Sequence, residues 1–395
     1  MKSIKVRLEL NNKQTTLANK HAGVARYAYN WGKSVCDLAI QNKEHRPTAI
    51  DLHKKFVAEE KTIKPWLYEV SKCSPQQGLR NLDEAYKRIF KVNGSRFPRF
   101  KKKGQHDSFY LEGTIKIDNS KIKVPKFGWF KCSEILPQCE VKNAVISKTA
   151  NQWFIAFKIP FEPKITNKTN GVVGVDLGVK TLAMLSDGKV FEAIKPYKKN
   201  RRKLKILQRK LSKKQKGSNN RKKAVLKVAK LHYRIANIRK DTTHKLTTYL
   251  SKNHTECVIE DLNVKGMSAR CKPKQDENGK YLPNGQSAKS GLNNSILDGG
   301  FSEFRRQLEY KCKWYGSSLT IVDRFYPSSK TCSSCGNIKK DLKLSDRVYV
   351  CENCGLVIDR DLNAAINLRN KSASYAESAC GVPKQLDTLV SGGAM

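Results

Sequence analysis

Val172-Val173-Gly174-Val175-Asp176-Leu177-Gly178-Val179-Lys180 is the stretch on which the reading of this 395-residue chain turns. It is an apolar, β-branched run of the kind that forms a buried strand, with one acid set into it. A carboxylate is costly in such a place unless a cation holds it. The bland alternative is an Asp that merely ends a strand near solvent. Just downstream, residues 181–185 and 190–191 flank a Ser186-Asp187-Gly188 turn, the pattern of a hairpin. Asp176 is therefore expected on the first of three neighbouring strands.

Further outward the pattern continues. Residues 256–260 read as a fourth strand, Phe301, Phe304 and Leu308 mark a helix with Asp298 as its expected cap, and residues 318–322 read as a fifth strand. A last helix is expected over 361–370. Three strands, helix, strand, helix, strand is the order of the ribonuclease H fold, and the order predicts that fold here.

Charge narrows the partner. Seventy-seven Lys and Arg stand against 35 Asp and Glu, a formal charge of +42, which points to a polyanion. An anionic membrane surface is disfavoured, because no apolar run approaches the ~18 residues a spanning helix needs. The start alternates like a strand and is too short and too charged for a signal peptide, so a soluble cytoplasmic protein is expected. The charge is concentrated: residues 195–240 contain no Asp or Glu. Leu204, Leu207 and Leu211 form one apolar stripe and Val228, Leu231, Ile235 and Ile238 another, so two helices are expected, packed on the sheet by their apolar sides. Their other sides would carry Arg201, Arg202, Lys203, Arg209, Lys213, Lys214, Arg221 and Lys222 towards a phosphate backbone.

The N-terminal part reads differently. Residues 1–10 alternate as a strand, and Asn11 to Gln14 reads as a turn. From about 15 to 90 the period is helical, with Val24, Tyr27, Ala28 and Trp31 on one face and Leu79, Leu82, Ala85 and Ile89 on another. Arg26, Lys33, Arg80, Lys87 and Arg88 lie among them, as a nucleic-acid platform or simply a solvated face. The basic hinge Phe97 to Gly104 contains Arg99, Lys101, Lys102 and Lys103. After it the period is two, with strands expected over 108–111, 114–117, 121–124, 144–147 and 153–158. The simplest architecture is a β-barrel with the helical layer inserted. A polar linker over 162–171 marks the domain boundary, and 267–295 reads as a long polar loop.

Two sites stand out. Cys332-Ser333-Ser334-Cys335-Gly336 and Cys351-Glu352-Asn353-Cys354-Gly355 supply four thiolates for a tetrahedral zinc ion, each Gly letting the backbone turn amides towards sulfur. Four protein ligands leave no position for water, so this zinc is structural. The second site is Asp176, Glu260 and Asp361. Three carboxylates converging without basic partners would repel unless divalent cations neutralise them. Two Mg²⁺ or Mn²⁺ ions held there would activate a water and stabilise the leaving oxygen of a phosphodiester. Asp261 and Asp359 compete for these roles. Only one of Glu260 and Asp261 can point inward on a strand, and Asp359 suits a helix N-cap better. The residues alone leave this triad open between a metal site and structural acids.

Gly174-Val175-Asp176-Leu177-Gly178, Ile259-Glu260-Asp261-Leu262-Asn263-Val264, the Ser328 to Gly336 stretch and Asp359-Arg360-Asp361-Leu362-Asn363-Ala364-Ala365 resemble the four signatures of TnpB, the OrfB-type proteins of insertion sequences related to type V CRISPR effectors. Arg99-Phe100-Lys101 before Ser108-Phe109-Tyr110 resembles the family's N-terminal half. The resemblance spans about residues 1–370, and its organisation places an α/β multidomain chain as follows. A wedge-like β-barrel takes 1–12 and 94–162, a helical recognition domain 13–93, a RuvC-like nuclease domain 171–326 and 356–371, and an inserted zinc ribbon 327–355, with a disordered tail over 372–395. It implies a monomer acting with a guide RNA encoded beside its gene on double-stranded DNA, in a prokaryotic cytoplasm, cutting next to a short transposon-adjacent motif. The family's catalytic acids map onto Asp176, Glu260 and Asp361. The departure from the family's pattern is the long Arg270 to Ser295 segment, which bears on how any lid over the site behaves. Two other readings stay in view: a guided DNA-binding protein that does not cut, and a zinc-ribbon transposition accessory factor.

Overall fold

A computed structural model describes residues 1–343 and 345–379 and divides the chain into two compact units, Met1–Glu162 and Pro163–Met395. In the first, β1 (Lys2–Glu9), β2 (Ser108–Asp118), β3 (Lys121–Val124), β4 (Gly128–Cys132), β5 (Val141–Thr149) and β6 (Gln152–Ile159) close into a barrel in the order β1-β4-β3-β2-β5-β6. Every pair is antiparallel. Alternate residues such as Ile122, Val124, Phe130, Ile146, Ile155 and Phe157 fill the interior. The expected strands over 108–111 and 114–117 are one strand, β2, whose register shifts between Glu112 and Ile115. β4 carries no strand signal in the sequence, since only Phe130 and Cys132 give its five residues an inward face.

The helices inserted between β1 and β2 are α1 (Asn12–Gln41), α2 (Ala49–Lys55), α3 (Lys61–Ile63) and α4 (Cys73–Lys91). Asn11 is the α1 N-cap: its side chain accepts from the Gln14 N–H while the Gln14 side chain accepts from the Asn11 N–H, a reciprocal cap in place of the expected turn. Ala18, Ala22 and Ala25 of α1 pack into the barrel core. Its other side, Val24, Ala28 and Cys36, packs with Leu52, Leu79 and Leu82.

The second unit is built on one five-stranded sheet. β7 (Asn170–Asp176), β8 (Thr181–Leu185) and β9 (Val190–Glu192) form an antiparallel meander, and β10 (His254–Glu260) and β13 (Ser318–Val322) add in parallel beside β7. The connections are α5 (Pro196–Ser212), α6 (Asn219–Asn253), α7 (Val264–Met267), α8 (Gln286–Gly299) and α9 (Phe301–Tyr315). A small antiparallel pair, β14 (Val348–Val350) and β15 (Val357–Asp359), leads into α10 (Arg360–Ala379).

The two sheet faces are buried by different helices. Val173, Val175, Cys257 and Ile259 pack with Leu246 and Leu250 of α6 and Phe301, Phe304 and Leu308 of α9. The intervening residues face α10. Val258 packs with Leu368, and a Cβ built on Gly174 would lie 1.9 Å from the Ala365 carbonyl oxygen. Glycine at 174 is thus required by the approach of the α10 backbone.

Four expectations change. The apolar stripes of α5 and α6 pack on each other, through Leu204, Leu207, Val228, Leu231 and Ile235, while only the C-terminal part of α6 reaches the sheet. Asp298 lies inside α8 and does cap a helix, but α5: it accepts from the N–H groups of Tyr197 and Lys198 and pairs with Arg239. The polar segment over 267–295 holds α8 and a two-residue strand pair, β11 (Lys274–Gln275) with β12 (Tyr281–Leu282), rather than a structureless loop. The last helix continues past Ser372 to Ala379, so the expected disordered tail is helical over 372–379, and its remainder, 380–395, lies outside the described residues.

Candidate active site

Parallel pairing sets two of the acids side by side. Ile259 is in register with Val175, so Asp176 and Glu260 are the next residues on both strands, at the carboxyl ends of β7 and β10. Neighbouring strands lie about 4.8 Å apart, and residues two apart share a face. Gly174 and Val258 face α10, so Asp176 and Glu260 face it too. Asp361 stands in the first turn of α10, four residues before Ala365 and so about one turn, or 6 Å, from the Gly174 contact. The close helix-sheet contact is what carries Asp361 to the same edge. Crevices beyond strand carboxyl ends are where open α/β sheets bind ligands.

Electrostatics registers the convergence. Burial, and then the charges of Asp361 and Glu260, push the Asp176 carboxyl up to about 7. Burial and the neighbouring Asp261 raise Glu260 as well. The expectation that basic partners are missing fails at Asp361, which has the Arg360 guanidinium at 3.2 Å and that of Arg347 at 3.9 Å. The competing acids are engaged elsewhere. Asp261 is gripped by Arg305 and Arg324, which hold it well below the usual carboxylate range. Asp359 caps α10, accepting from the Asp361 and Leu362 N–H groups at 2.9 and 3.0 Å. The second Arg pair, absent from any local motif, could not have been assigned by spacing.

The four cysteines come together as a separate centre. Their sulfur atoms all lie within 4.8 Å of one another, with Cys335 to Cys351 at 3.5 Å and Cys332 to Cys354 at 3.6 Å. Four sulfurs about 2.3 Å from one ion would be spaced by about 3.8 Å, so the set fits a tetrahedral metal. Among the described residues it is the one group of three or more ligand side chains gathered this tightly; the three carboxylates are spaced more widely. The two knuckles share one geometry. The Gly336 and Gly355 N–H groups donate to the Cys332 and Cys351 carbonyls, both at 3.0 Å, and both glycines have positive φ. The Asn353 amide and backbone donors near Asn337 lower the Cys335 thiol to about 6, favouring the thiolate a metal needs. Tyr349, fully buried with Cys332 and Cys351, seats the second knuckle on the first through its hydroxyl, which donates to the Lys330 carbonyl.

The basic residues divide. Arg201, Arg202, Lys203, Arg209, Lys213, Lys214 and Lys222 are exposed on α5, α6 and the turn between them. Arg221 is half-buried, and its guanidinium donates to the Leu211 and Lys214 carbonyls, closing that turn. In the first unit Arg99, Lys101, Lys102 and Lys103 are exposed, and paired hydrogen bonds between Asn30 and the Lys101 backbone hold the segment on α1. Beside it opens a cleft of about 670 Å³ whose lining includes Tyr27, Trp31, Trp66, Phe100, Lys20 and Arg26. No helix of the described residues is long and apolar enough to cross a membrane.

Residues 155–270 match the IS605 OrfB family, described as a probable transposase; residues 301–368 match a Cas12f1-like TNB domain. Residues 1–45, here a strand and one 30-residue helix, match a family described as a helix-turn-helix domain. The chain is 37% identical to InsQ of Escherichia coli (strain K12) over 396 residues, covering 96% of this chain and 94% of InsQ. It is 33% identical to a Streptomyces pristinaespiralis protein, covering 96% and 91%. Both carry names as RNA-guided DNA endonucleases. A solved Cas12f1-sgRNA-target DNA complex aligns over 94% of this chain and 99% of that one, with 13% identity and a TM-score of 0.46, too distant a likeness to carry weight.

Proposed function

The chain belongs to the IS605 OrfB (TnpB) family, and we propose that it is an RNA-guided, divalent-metal-dependent DNA endonuclease whose catalytic acids are Asp176, Glu260 and Asp361. The observation that carries this reading is the arrival of all three acids on one sheet face at one strand edge, with Asp176 raised towards neutrality by burial and then by the charges of the other two. The sheet order, an antiparallel meander extended by two parallel strands, is that of ribonuclease H and supports the RuvC-like assignment. An all-oxygen donor set suits Mg²⁺ or Mn²⁺. Such ions would supply an activated water and a stabilised leaving oxygen.

The chain's own residues do the rest. Asp176 must lose its proton for a cation to enter, so occupancy falls with acidity. Arg347 and Arg360 hold Asp361 in place, and Arg305 and Arg324 keep Asp261 turned away, leaving Glu260 as the acid of β10 at the site. Zinc on Cys332, Cys335, Cys351 and Cys354 would be structural, because the protein fills all four positions. The exposed bases of α5 and α6 and of residues 99–103 would hold phosphates of guide RNA and target DNA. The aromatic cleft beside residues 99–103 supports base stacking there.

Co-expression of the chain with the DNA flanking its gene, purification, sequencing of the bound RNA and incubation with matched DNA in Mg²⁺ test the proposal. Cleavage that needs both the matching sequence and Mg²⁺ is expected. Tight guided binding without cleavage would overturn the endonuclease and leave a DNA-binding protein.

A further inference from the structure

We propose that Asn363 and Asn367 are positioning residues that tie the placement of Asp361 to metal occupancy of the four-cysteine centre. The proposal rests on the reading of Asp361 as a metal ligand only for its consequence at the active site; the mechanical link stands apart from it. Both side chains are buried, at 0% and 3% exposure, and at a spacing of four they share one face of α10. The Asn363 amide donates to the Thr331 carbonyl at 2.7 Å, and its oxygen accepts from the Ser333 N–H at 3.0 Å. The Asn367 amide donates to the carbonyls of Ser328 at 2.8 Å and Thr331 at 2.6 Å. Thr331 and Ser333 bracket Cys332, so α10 grips the backbone on both sides of the first sulfur ligand.

The hairpin that carries the second knuckle is attached as well. The Arg360 N–H donates to the Arg347 carbonyl at 2.8 Å, while the Arg347 side chain faces Asp361. The first turn of α10 is thus held between both halves of the cysteine centre. Four sulfurs without a cation would repel as thiolates, and a separation of the knuckles would pull on these bonds. Only an amide both donates and accepts at this span. Asp would lose the donor, and Leu at 363 would leave the Ser333 N–H without this acceptor, as Leu at 367 would leave the Ser328 carbonyl without this donor.

The test uses the full chain, zinc-loaded and after zinc removal by chelation. Amide hydrogen exchange over residues 360–367 reports the first turns of α10, and Mn²⁺ titration followed by electron paramagnetic resonance reports the acid site. Zinc removal from the parent should speed exchange there at least about tenfold and weaken Mn²⁺ about tenfold, the scale of lost outer-shell support. An N363A/N367A variant that still holds its zinc should show the same losses, and removing its zinc should add little, because the link is already cut. Independent structural roles would instead make the two losses multiply. Exchange indifferent to zinc removal, or multiplying losses, would overturn the proposal. Should the double variant not fold, N367A, which keeps both bonds of Asn363, carries the same comparison with a smaller effect. A parent that binds no Mn²⁺ yet shows the zinc-dependent exchange would overturn the acid site and leave the link standing.

Discussion

At the scale of single residues, Asp176 is where the proposed chemistry and the cost of the fold meet. An Asp titrates near 3.9 in an unfolded chain and about 7 here, so the native state holds a proton that the unfolded state has released. Stability of the metal-free protein should fall as pH rises from about 4 to 7. D176N removes that penalty. It should raise the melting temperature of the metal-free protein at pH 8 by more than at pH 5, as calorimetry would show. An equal gain at both values would mean that the carboxyl is not poised as described. With Mn²⁺ present the sign reverses, because the parent gains stability from the ion and the variant loses a ligand. The position of Asp176 was legible from its β-branched surroundings and that of Glu260 from the end of its strand. What spacing could not give was which neighbouring acid is neutralised. Asp261 is silenced by Arg305 and Arg324, which lie 44 and 63 residues further along the chain.

At the scale of elements, α5 and α6 form a hairpin closed by Leu204, Leu231 and Ile235, with its charge left outward. Helical periodicity announced both helices, but not that their stripes would pack on each other, since a periodic stripe does not name its partner. Nor could it show that Asp298 would cap α5 from about a hundred residues away. Arg202, Arg209 and Lys213 lie within about 40° of one another on the face opposite Leu204, given 100° per residue. Replacing Arg202 and Arg209 by Gln should weaken RNA binding roughly equally across sequences. It should also flatten the dependence of log Kd on log salt by about two units. A slope unchanged by both substitutions would remove this face from the nucleic-acid interface. Helix α8 is not legible in the sequence because it is rich in Asn, Gly and Ser, a composition shared with loops; its burial of Ile296 and Asp298 fixes it as a helix.

At the scale of the whole molecule, each unit can be judged on its own. The barrel with helices inserted after its first strand and the succession of strands and helices in the second unit are both readable from changes of period. Sequence alone could not close the barrel, because β4 has two inward residues and no periodic signature. The cysteine knuckles were the most legible feature, since each CxxCG carries its own turn geometry. The acid site was the least, because it depends on where α10 crosses the sheet, a contact made by Gly174 and the backbone of Ala365. The central claim is that Asp176, Glu260 and Asp361, and not their acidic neighbours, perform the cleavage. Guided cleavage of matched DNA in Mg²⁺ by D176N, E260Q, D361N and D261N, each first shown to bind RNA and target as the parent does, measures this directly. The first three should lose cleavage by at least about a thousandfold, and D261N should retain it. Full cleavage by any of the first three, or its loss in D261N alone, would contradict the assignment.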